Sequence, residues 1–281
     1  MRISTPEPAC SFSFWPERRF GLNEAFRGRR DHDPWAGGSV TSEPVAVQSD
    51  GTPEPSVTHA SLHHALIEDV IERGFAPDSG ELADRLDASV DEVEQGLRSL
   101  QEYHGVVLHP GSSRVWVVHP FSMAPTNFLV RAGDDDWWAP CAWCALGAAA
   151  LLGCDVDIIT TLGAAGDQVT VSVRDGRLQE RGFVVHFPIP MRRVWENVLY
   201  SCSNMLLFES DVAVDRWSDR HGVAKGDVQP IAVVWELAKV WYGRHRDPGW
   251  QKWTVGEARE IFFGLGLRGD TWKLPESDGQ F

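Results

Sequence analysis

Residues 137–153, WWAPCAWCALGAAALLG, predict a helix that begins at a pair of cysteines. Pro140 suits the first position of a helix, where its missing N–H is not needed, and Gly153 suits the position just past the end. Cys141 and Cys144 then lie in the first turn, where the positive end of the helix dipole favours the thiolate form. A thiolate is the form that a nucleophile or a soft-metal ligand requires.

Four interpretations of the Cys141/Cys144 pair compete. A thioredoxin-type redox site needs a buried strand before the cysteines in a βαβ unit, and RAGDDDWWAP at 131–140 does not indicate one. A structural zinc site needs four ligands, and no second CxxC occurs; His59 and His63 have HxxxH spacing but are expected to be exposed helix residues. The other two interpretations, small buried hydrophobes and a soft-metal site, remain open from these residues alone.

The rest of the chain indicates an α+β protein with three regions. Residues 1–57 are rich in Pro, Gly, Ser and charge, and we expect a poorly ordered extension. Residues 58–119 read as three helices and a hairpin, with Ser89 and Glu92 forming a capping box, which is a winged-helix-like pattern. Residues 120–281 read as one α+β domain with mainly antiparallel strands.

Charge argues against a nucleic-acid or anionic-membrane partner. The net charge is −14, and residues 58–119 carry four arginines against eleven acidic residues. The third predicted helix begins with Asp91, Glu92 and Glu94, where a DNA reader needs Lys or Arg. We therefore expect no specific DNA binding by this region.

Cysteine usage and hydrophobicity indicate a cytoplasmic protein. The chain has no apolar run of about 18 residues, as a transmembrane helix needs, and its N-terminus lacks the apolar core of a signal peptide. Five cysteines, an odd number, do not indicate a disulfide framework, and we expect them to be reduced.

Three short motifs in order resemble the organomercurial lyase (alkylmercury lyase) family. They are WCALG at 143–147, TLGAAGDQVTVSV at 161–173 and NVLYSCSNMLLFES at 197–210. That family has a winged-helix-like N-terminal region before an α+β catalytic region, in agreement with the organisation above. The resemblance covers roughly residues 60–265 and leaves out the N-terminal extension.

The resemblance implies that Cys144 and Cys202 are the catalytic pair and bind one soft metal. Thiolates are the ligands that mercury prefers, which supports this pairing chemically. The family has an aspartate three residues after the first cysteine, which carries a proton to the leaving carbon, and this chain has Gly147 there. Cys141, one turn before Cys144, is the strongest replacement, as a third ligand and a thiol proton source.

The glycine itself needs an explanation, because it destabilises a helix by about 1 kcal/mol relative to alanine. Either a neighbour packs against Gly147, or the missing side chain enlarges a pocket. We expect Gly147→Asp to speed carbon–mercury protonolysis, with loss of stability as the competing outcome if a neighbour packs against Gly147.

The sequence thus predicts an alkylmercury-lyase-like protein that cleaves a carbon–mercury or related bond by protonolysis. It would need no cofactor, with mercury as substrate and product ion. Its partners would be a small organometal or thiol-reactive substrate and, as a candidate, a mercuric reductase. Two alternatives stay open: a non-catalytic mercury or copper binder, and a biosynthetic lyase on the same scaffold.

Overall fold

The computed structural model describes residues 57–277 and 279–281. The predicted extension at 1–57 therefore lies outside the described residues, except for Val57, and so does Cys10.

Three helices open the described chain: α1 (His59–Arg73), α2 (Ser79–Leu86) and α3 (Val90–Glu102). Each begins at a capping box, in which two side chains satisfy backbone N–H groups that the helix leaves unpaired. At α3 the box consists of Ser89 and Glu92, as the sequence predicted. The apolar faces of the three helices pack together, with Leu62, Leu82 and Leu97 buried at the contact.

The main sheet has eight strands in the order β1-β2-β3-β5-β4-β6-β7-β8. The strands are β1 (Val107–Leu108), β2 (Val115–Val118), β3 (Phe121–Ser122), β4 (Phe128–Ala132), β5 (Asp135–Ala139), β6 (Val156–Thr161), β7 (Gln168–Arg174) and β8 (Arg177–Leu178). Every neighbouring pair is antiparallel. The hairpin β1–β2 that follows the three helices is therefore continuous with the sheet of the second region.

A smaller antiparallel sheet and five helices complete the described chain. The sheet has the order β10-β9-β11, with β9 (Val184–Phe187), β10 (Leu207–Phe208) and β11 (Asp227–Pro230). The helices are α4 (Ala142–Leu152), α5 (Val198–Ser203), α6 (Asp211–His221), α7 (Ile231–Tyr242) and α8 (Val255–Gly264). Three short 3-10 segments lie at Leu162–Ala164, Met191–Asn197 and Asp270–Trp272.

Helix α4 is the centre of the second region. Nine of its eleven residues are buried, and it packs along α7 and against strands of the main sheet. The strand β5 leads directly into it, so residues 131–140 contain a partly buried strand that the sequence did not clearly indicate. Trp137 and Ala139 alternate inward along β5, while Asp135 and Asp136 are exposed, which masks the strand pattern in the sequence.

The α+β class with mainly antiparallel strands and a helical N-terminal region is confirmed. The division at residues 119 and 120, and the description of 58–119 as a winged helix, stay predictions. Within the described residues, no helix combines the length and apolar character needed to cross a bilayer.

Candidate functional site

The start of α4 brings two sulfurs together. Cys141 is the N-cap of the helix, so the helix begins at Ala142, two residues later than it would with Pro140 at its first position. The Cys141 Sγ accepts a hydrogen bond from the backbone N–H of Cys144 at 3.2 Å. The same geometry leaves the two Sγ atoms 3.1 Å apart, with both side chains almost fully buried.

Cys202 reaches these sulfurs from α5. The segment after α5 joins the start of α4, because the backbone N–H of Ala142 donates to the carbonyl of Met205 at 3.0 Å. This connection places Cys202 beside the α4 cysteines across 58 residues of sequence. The ligand atoms of Cys144, Cys202 and His119 all lie within 4.8 Å of one another.

His119, at the end of β2, is the nitrogen donor of this group. Its Nε2 lies 3.8 Å from the Sγ of Cys202, and its Nδ1 is buried without a hydrogen-bond partner among the described residues. Burial lowers the pKa of His119 to about 4, against a smaller opposing effect from Cys141. The imidazole is therefore neutral near pH 7, which is the form that binds a metal.

The three thiols share their protons unequally. Burial raises the pKa of Cys141, but hydrogen bonds from Cys144, Cys202 and the Cys144 backbone outweigh burial and lower the pKa well below its usual value. Burial and the neighbouring Cys141 raise the pKa of Cys144, and the two other sulfurs raise that of Cys202. Of the three sulfurs, only Cys141 therefore has its pKa lowered, so thiolate character is favoured at Cys141 rather than at both α4 cysteines.

Gly147 is glycine because an aromatic ring occupies the space of a side chain. A Cβ on Gly147 would lie close to the Tyr242 ring on α7, with Cγ at 2.8 Å and two other ring atoms nearer still. Real Cβ atoms do not approach that closely. Of the two explanations for the glycine, close packing is correct, and an open pocket at this position is excluded.

Tyr242 also extends its hydroxyl into the thiol group. The Oη lies 3.4 Å from the Sγ of Cys144. Burial, followed by the charges of Cys144 and Cys141, raises the pKa of Tyr242 well above its usual value, so the hydroxyl keeps its proton and can donate it to sulfur. This contact supplies a polar hydrogen beside the position where the family motif has an aspartate.

The three thiols open onto a cavity of about 70 Å³. The cavity is also lined by nitrogen-bearing residues from α1, the end of α3 and the segment after α7: His63, His104, His245 and Lys252. We call Cys141, Cys144 and Cys202 the sulfur end of the cavity and those four residues the nitrogen end. His119 also lines the cavity and lies beside the sulfur end.

The nitrogen end is held by stacking and ion pairing. His63 stacks on Trp250 with ring centroids 3.6 Å apart, and Arg246 forms a two-pronged ion pair with Glu68 on α1 at 2.8 and 2.9 Å. These contacts fix the segment after α7 against α1. Burial lowers the pKa of His245 to about 3 and that of Lys252 to about 7.

Sequence reasoning placed some of these residues wrongly. His63 was expected to be an exposed helix residue, but it is buried and lines the cavity. Among the tryptophans, Trp143 and Trp195 line the cavity, whereas Trp137, Trp138 and Trp235 do not.

Several titratable residues that are near the cysteine motifs in sequence lie away from the cavity. Asp157 pairs with Arg174, Glu196 pairs with Arg193, and Tyr200 is half exposed. None of them lines the cavity, nor do Asp155 and His186.

The cysteine inventory is partly as expected. Cys141, Cys144 and Cys202 are free and buried. Cys154 is disulfide-bonded, so the expectation of reduced cysteines throughout was wrong at that position.

The fold and the donor set define a class of protein: an α+β chain with a buried cluster of thiols and one imidazole, the ligands that soft metals prefer. A family model described as alkylmercury lyase matches residues 121–243, which include Cys141, Cys144 and Cys202. This segment, somewhat less than half of the chain, is similar to the alkylmercury lyase family. The match also agrees with the expectation that mercury enters as substrate and leaves as product rather than acting as a resident cofactor.

A solved structure shares the fold. It is described as the crystal structure of the mercury-bound form of MerB2, with a TM-score of 0.55 and 20% sequence identity. The alignment covers 70% of this chain and 93% of that one. No curated protein matches the chain.

Proposed function

We propose that the protein takes an organomercury compound onto Cys144 and Cys202 and cleaves its carbon–mercury bond by protonolysis. The observation that carries the proposal is the meeting of Cys144, Cys202 and His119, whose ligand atoms lie within 4.8 Å. Two sulfurs at that separation can bind one large soft ion together. The family match and the mercury-bound neighbour support the same chemistry.

In the proposed reaction, Cys141 does the work of the absent aspartate. It accepts hydrogen bonds within the thiol cluster, so it can take the proton of Cys144 as that sulfur bonds mercury and the carrier thiolate leaves. Cys202 then bonds mercury, and its proton leaves with the carrier. The S–H of Cys141 protonates the carbon, which keeps the electron pair of the carbon–mercury bond.

These steps balance. An alkylmercury thiolate and two enzyme thiols become an alkane, a free carrier thiol and mercury bound by Cys144 and Cys202. Cys141 ends as the thiolate that it was at the start. Excess solution thiol would then remove the mercury by exchange.

The size of the cavity favours small organic groups. Its volume of about 70 Å³ is roughly half that of an engineered cavity of about 150 Å³ that binds benzene in another protein. Methylmercury is therefore the preferred test substrate, and phenylmercury is the larger comparison.

The test is hydrocarbon release. The protein is incubated with methylmercury and excess thiol, and methane is measured by gas chromatography, with benzene from phenylmercury in parallel. Methane in excess of the protein concentration supports the proposal. No hydrocarbon from either compound would contradict it.

A second candidate function is non-catalytic binding of a soft metal. The observation in its favour is that no Asp or Glu is among the residues that line the described cavity, so no carboxylic acid is at hand. Mercury held at one ion per chain by Cys144 and Cys202, with no alkane released, would favour this function over the lyase.

A further inference from the structure

Two hydrogen-bond donors that line the cavity have no acceptor partner. The Nε1–H groups of Trp143 and Trp195 are buried and have no partner among the described residues, and both indoles line the cavity. An indole N–H can only donate. Buried polar groups are nearly always paired in native proteins, so two unpaired donors on one small cavity point to an acceptor that enters it.

Lys252 adds an amine to the same cavity, and this amine carries its positive charge below about pH 7. The side chain is 9% exposed and forms no ion pair within the described chain. Its Nζ donates to the Nδ1 of His104 at 3.4 Å and lies 4.5 Å from the centre of the Trp195 ring. A buried lysine is normally paired with an anion.

The surroundings of Lys252 supply no such anion. The Tyr103 ring centre lies 5.9 Å from the Lys252 Nζ, and the Tyr103 hydroxyl accepts a hydrogen bond from the Lys252 backbone N–H. Acidic residues are absent from the lining of this cavity over residues 57–277 and 279–281. The lining therefore combines one amine and two free N–H donors with no Asp or Glu side chain to satisfy them.

We propose that the nitrogen end is a subsite for a carboxylate carried by the mercury compound, with Lys252 as its counter-ion and Trp195 as a neutral donor. Charge-assisted hydrogen bonds from an ammonium to a carboxylate are among the strong ones. The proposal rests on the proposed function, because it names the substrate class of that site. The carboxylate belongs either to the thiol that carries the mercury or to the organic group on the mercury.

The step that the subsite serves is the transfer of mercury to the protein. A new bond forms from the Cys144 sulfur to mercury, and the bond from mercury to the carrier sulfur breaks. The thiol proton of Cys144 passes to Cys141, and the carrier departs as a thiolate. No atom changes its oxidation state, and a carboxylate on the carrier would be held beside Lys252 while this exchange takes place.

The experiment measures the transfer rate by stopped-flow ultraviolet absorbance of the mercury–thiolate bond. One arm uses methylmercury carried by mercaptoacetate or by mercaptoethanol. The other uses p-mercuribenzoate or phenylmercury, both carried by mercaptoethanol. The first arm places the carboxylate on the carrier, and the second places it on the organic group.

In each arm, we take the ratio of the transfer rate of the carboxylate compound to that of its neutral partner. In at least one arm, we expect this ratio to be about tenfold higher in the native protein than in Lys252→Met, which is the difference that one charge-assisted hydrogen bond supplies. Lys239→Met is the matched control, because Lys239 is an exposed lysine on α7 paired with Glu236. Its ratios should equal those of the native protein. Equal ratios in the native protein and Lys252→Met, in both arms, would overturn the proposal.

A competition experiment needs no variant and covers the case in which Lys252→Met does not fold. Acetate should slow transfer of the carboxylate compound in the native protein more than transfer of its neutral partner. Equal slowing of both would contradict the subsite. If mercury transfer depends on Lys252 but no alkane is released, the subsite proposal is supported and the lyase proposal is contradicted. The failure of one proposal can therefore be distinguished from the failure of the other.

Discussion

The sulfur end and the nitrogen end of the cavity differ in how the chain builds them. The sulfur end comes from two short helix termini, each with its own capping contact: Cys141 caps α4, and Asn197 caps α5. The nitrogen end is assembled from residues of α1, the end of α3 and the segment after α7, and each residue depends on the others for its place. The comparison shows that reactive residues found in local motifs, as at the sulfur end, can share a cavity with residues that no local motif indicates, as at the nitrogen end.

The largest expected effect is at the sulfur end. Cys144→Ser and Cys202→Ser should each lower methane release by roughly 10³-fold or more, because a hydroxyl is a poor ligand for a soft metal and the nucleophile is lost. Mercury binding by equilibrium dialysis should weaken as well. Ser203→Ala, an exposed position on the same helix as Cys202, is the control and should keep full activity. Methane release that persists in Cys202→Ser would contradict the proposal that Cys144 and Cys202 act as a pair.

Gly147→Asp tests the close packing of Gly147 against the Tyr242 ring, next to the sulfur end. The new Cβ would overlap the Tyr242 ring, and overpacking of this kind costs roughly 1–3 kcal/mol, to which burial of a carboxylate adds. We therefore expect a clear fall in thermal unfolding temperature rather than the gain in rate that an open position would allow.

Two further variants sharpen the Gly147 comparison. Ala150→Asp, at a half-buried position on the same helix, should cost less stability. Combining Gly147→Asp with Tyr242→Ala should recover part of the loss, because it removes the ring. A stable Gly147→Asp single variant would mean that the ring moves aside easily.

The nitrogen end should weaken the protein in acid. His245 titrates at about 3 in the folded protein against about 6.5 when unfolded. Between these pH values, His245 is protonated in the unfolded chain and neutral in the native protein. The free energy of unfolding therefore falls as the pH falls from about 6.5 towards 3, by on the order of a few kcal/mol. Urea unfolding at pH 7.5 and 5.0 measures this loss.

His245→Phe isolates the contribution of His245 because it keeps an aromatic ring and removes the titrating group. The variant should lose less stability between pH 7.5 and 5.0 than the native protein does. An equal loss in both would assign the acid sensitivity to another group, for which the buried His63 is the next candidate.

The smallest expected effect is at the contact between α7 and the sulfur end. Tyr242→Phe keeps the ring against Gly147 and removes the hydroxyl that lies 3.4 Å from the Cys144 sulfur. The loss of this hydrogen bond should slow methane release by about tenfold and cost about 1 kcal/mol of stability. Mercury stoichiometry should not change. An unchanged rate at unchanged stability would show that the hydroxyl takes no part in the reaction.

The amino-acid sequence by itself determined the α+β class, the helical N-terminal region and the capping box at α3. It also supplied the family resemblance and the cysteines that the structure brings together. These features depend on local spacing: a capping box spans three residues, and the distance from Cys141 to Cys144 is one helical turn. The roles of the cysteines, the domain boundary and the winged-helix description stay predictions.

Tertiary structure decided the rest. Gly147 had two explanations in the sequence, and only the approach of Tyr242, 95 residues later, selected one. The sequence predicted thiolate character at both Cys141 and Cys144. The structure lowers the pKa of Cys141 alone, because its neighbours donate hydrogen bonds to it, and spacing in the sequence does not reveal those contacts. His63 and Lys252 became cavity residues through packing between distant segments, and burial, unlike helix periodicity, is a property of the whole fold. No short stretch of sequence can therefore specify it.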